Sequence, residues 1–452
     1  MRNYPLICWR LDSRPVKDVT YYLVIYNNDF KAYEKVVTGA NLTNKKNRLL
    51  SINNYHYRRG GADALYLDHD ALFEAAGWET AQFSMRHPEN NPSQFSEFFV
   101  DEIEYGRESG FTKKLTMASK IIYSFEAKTQ LERLLEKFYP DIVHAHNIYH
   151  HLSPSILPLL KQRGIPVVLT AHDFKLICPA YKMLNKGQIC ERCRDGTTWN
   201  VTWHRCVKDS FSLSLLIGIE TYIHRMMDIY AKNLDKLVVP SRFYARKFVD
   251  WGWSEEKIKY VPNFVEIDNF TPSYEPGDYV VYIGRLIGDK GVGTLIQAAA
   301  IAKVKVVIVG TGNEEEKFQR MALDLAAPVE FVGYKSGDAL IELVQQSRAV
   351  VLPSEIYENA PISVLEAYSC GKTVIGADIG GIPELIEEEA TGWLFPSKSV
   401  EVLADKLKIV KDLPDKTLSS MGEHARTFVE QKFTKEKYLV SMQELYAELG
   451  VK

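Results

Sequence analysis

No stretch of this 452-residue chain approaches the roughly twenty apolar residues that a membrane-spanning helix needs. Its most apolar runs, 213–219 and 304–310, are short and flanked by charge. Charge of one sign is also missing: 55 Lys and Arg stand against 58 Asp and Glu, so no global basicity points to nucleic acid. Six cysteines are too few for an oxidised secreted scaffold of this size, which makes the Asn-x-Thr sequons at Asn41 and Asn200 chance matches. Residues 1–30 lack the organisation of a secretory signal. These absences lead us to expect a cytoplasmic globular protein. At 46% hydrophobic and 25% charged residues the composition is ordinary, and the length calls for two domains.

Apolar strand patterns alternate with helical patterns twice. Residues 48–52 read as a strand, followed by Gly60-Gly61 and a helix to Ala76; further strands fall at 79–83, 141–146, 167–171 and 236–240. After a Pro, Ser and Gly-rich linker at 268–278, strands recur at 279–284, 304–310, 329–335, 349–352 and 373–376. Alternation of this kind implies parallel sheets whose ligands sit at the carboxyl ends of the strands. Two such ends in the first half carry polar residues that sheet packing does not require: His144, His146 and Asn147, then His172 and Asp173. Residues 1–47 fit this alternation poorly; 21–26 has a strand pattern, but no helix signal follows, and we set 1–47 apart as an extension.

Most of the remaining chemistry lies in 350–384. A strand breaks at Pro353, and a helix restarts at Pro361, a residue suited to the first helical position. That helix ends before Gly371, and its N-terminus, with free N–H groups and partial positive charge, faces the loop 355–360, where an anion such as a phosphate is held. Glu358 and Glu366 bracket it with seven residues between them, and Gly380-Gly381-Ile382-Pro383-Glu384 follows the next strand.

This ordered set resembles the signature of the retaining glycosyltransferases of family 4, and the resemblance covers residues 48–452. It implies an α/β protein of the GT-B fold, with two Rossmann-like doubly wound domains facing each other across a cleft. It divides the chain into an acceptor domain at 48–268, a nucleotide-sugar domain at 279–430 and a helix at 431–452 that crosses back to the first domain. The implied reaction moves a sugar from a UDP- or GDP-sugar to a hydroxyl of a glycan or lipid-linked acceptor with retained configuration, in bacterial-type polysaccharide or glycolipid synthesis. No protein nucleophile is evident and no cofactor is required, because the family holds its diphosphate without a metal. By resemblance, Arg285 and Lys290 neutralise the departing diphosphate with the backbone of Asn359, Ala360, Pro361 and Ile362. Glu358 holds the transferred sugar, His172 contacts it from the first domain, Glu366 holds the ribose, and Gly333, Tyr334 and Lys335 lie at the nucleobase. Gly60 and Gly61 match the family's first loop, which touches the donor. The competing reading is a binding or docking protein that keeps this fold without turnover.

Between residues 174 and 208 lies an insertion with little apolar periodicity and four cysteines, Cys178, Cys190, Cys193 and Cys206. Four thiolates around a Cys-x-x-Cys can close a tetrahedral site, so a structural zinc is the sharp reading and unpaired thiols the bland one. A metal would also offset the entropy of ordering so irregular a segment. A long amphipathic helix follows at 210–233, with Leu215, Ile219, Tyr222, Ile223 and Met226 at helical spacing. Such a stripe packs in a core, or docks peripherally on the inner face of a membrane.

Overall fold

The computed structural model describes residues 46–102 and 119–451; the strand expected at 21–26 lies outside them. Twelve strands build two parallel sheets. The first contains β1 (Arg48–Ile52), β2 (Glu79–Phe83), β3 (Ile142–Ala145), β4 (Val167–Thr170), β7 (Lys236–Val239) and β8 (Ile258–Tyr260), in the order β2-β1-β3-β4-β7-β8. The second contains β9 (Val280–Ile283), β10 (Val306–Val309), β11 (Val329–Phe331), β12 (Ala349–Leu352), β13 (Val374–Asp378) and β14 (Gly392–Pro396), in the order β11-β10-β9-β12-β13-β14. A two-stranded hairpin, β5 (Leu184–Asn185) with β6 (Gln188–Ile189), stands apart within the insertion.

The sequences explain the layers. Strands such as VVIV at β10 and AVVL at β12 are apolar at every position and buried throughout, as strands covered by helices on both faces must be. Strand order reverses between β1 and β3 in the first sheet and between β9 and β12 in the second. The loops after these four strands therefore part at a crevice, the usual ligand site of a doubly wound sheet. The helix Lys435–Glu448, capped by Thr434 through a bond from the Lys437 N–H, returns to the first sheet. There Tyr438, Met442, Leu445 and Tyr446 are buried with Leu49, Phe73, Ile142 and Val168.

Three expectations need correction. Pro361 is not the first helical residue: its ψ of 115° is extended, and the helix runs Ile362–Ser369 with Pro361 as its cap. The carbonyl of Ala360 is drawn instead to the Asn263 side chain at 3.0 Å. The helix expected over 210–233 is two helices, Phe211–Met226 and Ile229–Asn233, broken at Asp228, whose φ of 51° is left-handed. The apolar stripe on the first of these is not core. Ser214, Gly218, Glu220 and His224 face inward, whereas Tyr222 and Met226 are exposed and Leu215, Ile219 and Ile223 half-buried. The polar face turns in because Glu220, wholly buried, closes a 2.8 Å ion pair with the buried Lys175, and a charge removed from water must be paired.

Candidate functional site

The carboxyl ends of both sheets open onto one cavity of about 1140 Å³. On the second domain, β9 ends at Gly284-Arg285, and the following loop brings Lys290 to the helix Val292–Ala302. The Lys290 ammonium lies 2.6 Å from Glu358 Oε1, which also accepts the Ser354 hydroxyl at 2.6 Å. Arg285 makes no ion pair with the described residues, so of the two cations carried by this loop Lys290 is compensated and Arg285 is not. Beside them the N-terminus of the helix Ile362–Ser369 faces the same space, and Glu366, one turn in, lines it with its carboxyl pushed up by burial.

Gly380 and Gly381 hold this loop against the sheet. Gly380 has φ +65°, and a Cβ there would stand 2.4 Å from the Glu358 carbonyl oxygen; one on Gly381 would stand 1.8 Å from that of Asn359. Only glycine permits backbones so close. Glu384, from the same motif, reaches into the first domain and accepts the N–H groups of Arg242 and Phe243 at 2.7 and 2.5 Å. These are the first residues of the helix Arg242–Asp250, so a carboxylate of one domain caps a helix of the other, where its charge is favourable.

On the first domain, Gly60 and Gly61 open the helix Gly61–Ala75. Gly60 is extended at φ −165°, and nothing lies within 4 Å of where its Cβ would be; its value is space facing the cavity rather than backbone freedom. His172, just past β4, stacks on His146, with His172 Nε2 2.9 Å from His146 Nδ1. His146 stacks in turn on His144, which lies edge-on to His69. His144 Nδ1 is 2.5 Å from the Tyr446 hydroxyl, and His69 Nδ1 is 2.9 Å from that of Tyr438. A buried file of four imidazoles thus connects the cleft to the returning C-terminal helix. Burial depresses His172 to about 4 and His69 to about 3, and drives His144 and His146 well below the usual range. All four are neutral at neutral pH. Asp173, next to His172 on the cavity wall, has its carboxyl raised by burial to about 6.

Asn359 joins the two halves, its Nδ2 donating to the Ala171 carbonyl at 3.0 Å and its Oδ1 accepting the Ser241 hydroxyl at 3.0 Å. Of the residues expected at the site, Gly60, Gly61, His172, Arg285, Lys290, Tyr334, Lys335, Glu358, Asn359, Ala360, Pro361, Ile362 and Glu366 all line the cavity. Gly333 does not; its carbonyl accepts the Gly310 N–H behind the wall. Sequence reasoning missed His69, since a histidine inside a helix carries no local pattern, and it placed Glu384 in the glycine motif without a partner for it.

The four cysteines share a neighbourhood. Burial raises Cys178 to about 11 and Cys193 to about 12, and the other cysteines of the insertion push both further. The Asn185 amide lies 3.4 Å from Cys206 Sγ. As placed they do not form a metal cage: among the described residues no group of three or more His, Cys, Asp or Glu could hold an ion. Nor does the insertion lack an apolar anchor, as its sequence led us to expect. Phe174, Ile177, Cys178, Ala180, Met183 and Val201 are buried in the first domain's core, because irregular chain can bury apolar residues without any period. Trp203 near the end of the insertion, and Phe211, Tyr222 and Met226 on the helix that follows, are exposed apolar side chains. No described helix is long and apolar enough to cross a membrane.

Comparison with known proteins places this geometry. Residues 88–269 match the family described as Glycosyltransferase Family 4, and residues 264–428 match Glycosyl transferases group 1. The two matches support a resemblance to glycosyltransferases of family 4 type, and the two parallel-sheet domains have the GT-B fold. Among curated relatives, the amylovoran biosynthesis glycosyltransferase AmsK of Erwinia amylovora is 28% identical over 193 residues, covering 39% of this chain and 47% of that protein. A GDP-mannose-dependent monoacylated α-(1-6)-phosphatidylinositol monomannoside mannosyltransferase of Corynebacterium glutamicum is 27% identical, covering 45% and 59%. The matched region thus spans about half the length of these relatives. Among solved structures, the sucrose-phosphate synthase of Thermosynechococcus elongatus superposes with a TM-score of 0.65 at 20% identity, covering 90% of this chain and 99% of that one. The Anabaena protein HepE, solved with UDP and glucose, gives 0.61 at 16% identity, covering 89% and 100%.

Proposed function

We propose that this protein transfers a sugar from a UDP- or GDP-sugar to a hydroxyl of a glycan or lipid-linked acceptor, with retained configuration and without a catalytic metal, in polysaccharide or glycolipid synthesis in the cytoplasm. The observation that carries this reading is the meeting, in one cavity, of Arg285, Lys290 and a helix N-terminus with Glu358 and Glu366, and of His172 from the opposite domain. As the glycosidic bond breaks, negative charge gathers on the leaving diphosphate, and donors already aimed at that charge lower the barrier most. Arg285 is available for this at once. Lys290 becomes available when the sugar hydroxyls compete for Glu358. His172, held neutral by burial and oriented by His146, offers the sugar a hydrogen bond without adding charge. The two domains enclose the reacting atoms, which keeps water from the donor.

Support for a glycan or lipid-linked acceptor comes from the relatives' names, and support for peripheral membrane contact from the exposed apolar side chains of Trp203 and Met226. The test is a panel of nucleotide sugars offered to the full-length chain with release of free nucleotide as the readout, in the presence of a chelator. One or two donors should be turned over. Tight binding of a nucleotide with no turnover of any donor, with and without candidate acceptors, would instead make this a binding protein.

A further inference from the structure

Among the described residues, three hydrogen bonds join the insertion at 174–208 to the second domain, beside an edge-on contact of Phe174 with Tyr357. Lys182 Nζ stands 2.6 Å from Asp289 Oδ2, Glu191 Oε1 accepts the Tyr357 hydroxyl at 3.1 Å, and the Gly187 carbonyl accepts from Lys398. Two of these partners adjoin the cleft's charged pair in sequence: Asp289 precedes Lys290, and Tyr357 precedes Glu358. The Asp289 side chain is only 10% exposed, and its second oxygen is buried without a hydrogen-bond partner, so Lys182 supplies the charge that balances it. Glu191 is itself pinned by Lys247 of the first domain at 2.5 Å.

The insertion is rigid enough to transmit position. Its root is buried in the first domain's core, and Lys182 and Glu191 flank the hairpin β5–β6, closed by a tight turn at Lys186 and Gly187 with φ of 50° and 72°. Apart from Tyr357, which packs edge-on to Phe174, the hairpin side of the insertion stands off from the second domain. A gap of about 380 Å³ lined by Lys182, Leu184, Asp289, Asn313 and Glu355 remains beside it, so the two bodies meet here through discrete polar bonds that can break and re-form.

We propose that the insertion is an interdomain clamp in which Lys182 and Glu191 are positioning residues, setting the loops that carry Lys290 and Glu358 when the domains close. With Lys182 absent, Asp289 is left as a nearly buried, unbalanced carboxylate beside Lys290, and the ammonium is pulled from Glu358 toward it. When neither Lys182 nor Glu191 bridges the domains, the cleft opens at its insertion side and admits water. The clamp concerns the same site as the glycosyl-transfer reading and rests on it for its catalytic consequence, but its geometry is testable without turnover.

The experiment uses the full chain and the variants Lys182→Met, Asp289→Asn, the double variant of these two, Glu191→Gln and Lys182→Arg. Small-angle scattering with and without UDP or GDP reads the domain arrangement. Lys182→Met combined with Glu191→Gln should have a larger radius of gyration than the parent, with an unchanged circular dichroism spectrum. On a donor the parent turns over, Lys182→Met should lose about tenfold to a hundredfold in kcat, the scale of a misplacement of about 1 Å, and lose more donor to hydrolysis per transfer. Adding Asp289→Asn to Lys182→Met should recover part of that loss, because the unbalanced carboxylate is gone, and Lys182→Arg should behave as the parent. An unchanged radius of gyration overturns the clamp whether or not the parent is active. Strictly additive losses, or a parent-like hydrolysis-to-transfer ratio in Lys182→Met, overturn the positioning role. A parent that turns over no donor sinks the glycosyl-transfer reading and leaves the scattering comparison to decide the clamp alone.

Discussion

Replacing Arg285 with alanine removes a cation that stands beside Lys290 in the cleft and makes no ion pair with the described residues. Lys290 is compensated at 2.6 Å by Glu358, so Arg285 and the helix N-terminus can meet the charge that develops on the leaving diphosphate without first giving up an ion-pair partner. Loss of one preorganised donor to a developing anion costs about 2.7–4 kcal/mol, or about 10²–10³ in kcat. Since the charge matures only as the bond breaks, kcat and kcat/KM should fall together while the donor KM changes little. Lys290→Ala differs in kind: it leaves Glu358, 14% exposed, with only Ser354 among its described partners, and that carboxylate then repels the diphosphate. Donor KM should rise along with the loss in kcat, and adding Glu358→Gln should restore binding but not rate. The assay is steady-state release of free nucleotide from the donor that the parent uses. If Arg285→Ala raises KM and leaves kcat near the parent value, the guanidinium contributes uniform binding and the placement of the leaving diphosphate at β9 is wrong.

Glu384→Gln keeps the size of the interdomain cap but loses its charge, and should cost about 1 kcal/mol in urea unfolding, within the range for a helix cap; an unchanged midpoint would show that the charge contributes nothing net. On acidification, His56, His69, His150, His151 and His172, each held at about 4 or about 3 by burial, favour the folded state only while neutral. That stability is present above their unfolded value of about 6.5 and is lost as pH falls toward 4. Asp70 and Asp173, raised to about 6, shift the balance the other way in the same window but are fewer, so the melting temperature should fall between pH 6.5 and 4; a flat profile there would contradict the buried neutral file. For the cysteines, a structural zinc predicts near one equivalent of metal in protein purified without added metal and a melting temperature that falls in chelator; thiols alone predict neither. One equivalent that disappears in Cys190→Ser would establish the cage.

The fold was legible because its strands announce themselves. Four-residue apolar runs at β9, β10 and β12 are bounded by glycine, proline or charge within a residue or two, and a sheet buried on both faces leaves little else for such runs to do. The cavity residues were legible to the extent that they sit at strand ends. What escaped was whatever depends on distance across the chain. His69 lies inside a helix and acquires meaning only because β3 and a helix 369 residues away bring His144 and Tyr438 to it. Glu384 is legible as the end of the glycine motif, but its partner is not, until the first domain's helix arrives at its carboxylate. The face of the helix Phe211–Met226 was misjudged because hydrophobic spacing cannot register an ion pair, and Glu220 with Lys175 outweighs the apolar stripe opposite. The insertion was misjudged for a related reason, as burial without periodicity is invisible to a periodicity argument.

The residues that place charge in this cleft are carried by the loops that hold the two domains together. Asn359 lies beside Glu358 and bonds to Ala171 and Ser241; Ala360 is held by Asn263; Glu384 follows the glycines that press on the Glu358 carbonyl; Asp289 lies beside Lys290. A neutral hydrogen bond contributes only about 0.5–1.5 kcal/mol net, so no single bond locks the closed form. A ligand that prefers the closed arrangement by a few kcal/mol is then enough to move the equilibrium between open and closed forms. When it opens, the same displacement that admits solvent also withdraws Asn359 and loosens the backbone around Glu358. An open cleft is therefore wet and catalytically incomplete at once, which links protection of an activated donor from water to the positioning of the charges that activate it.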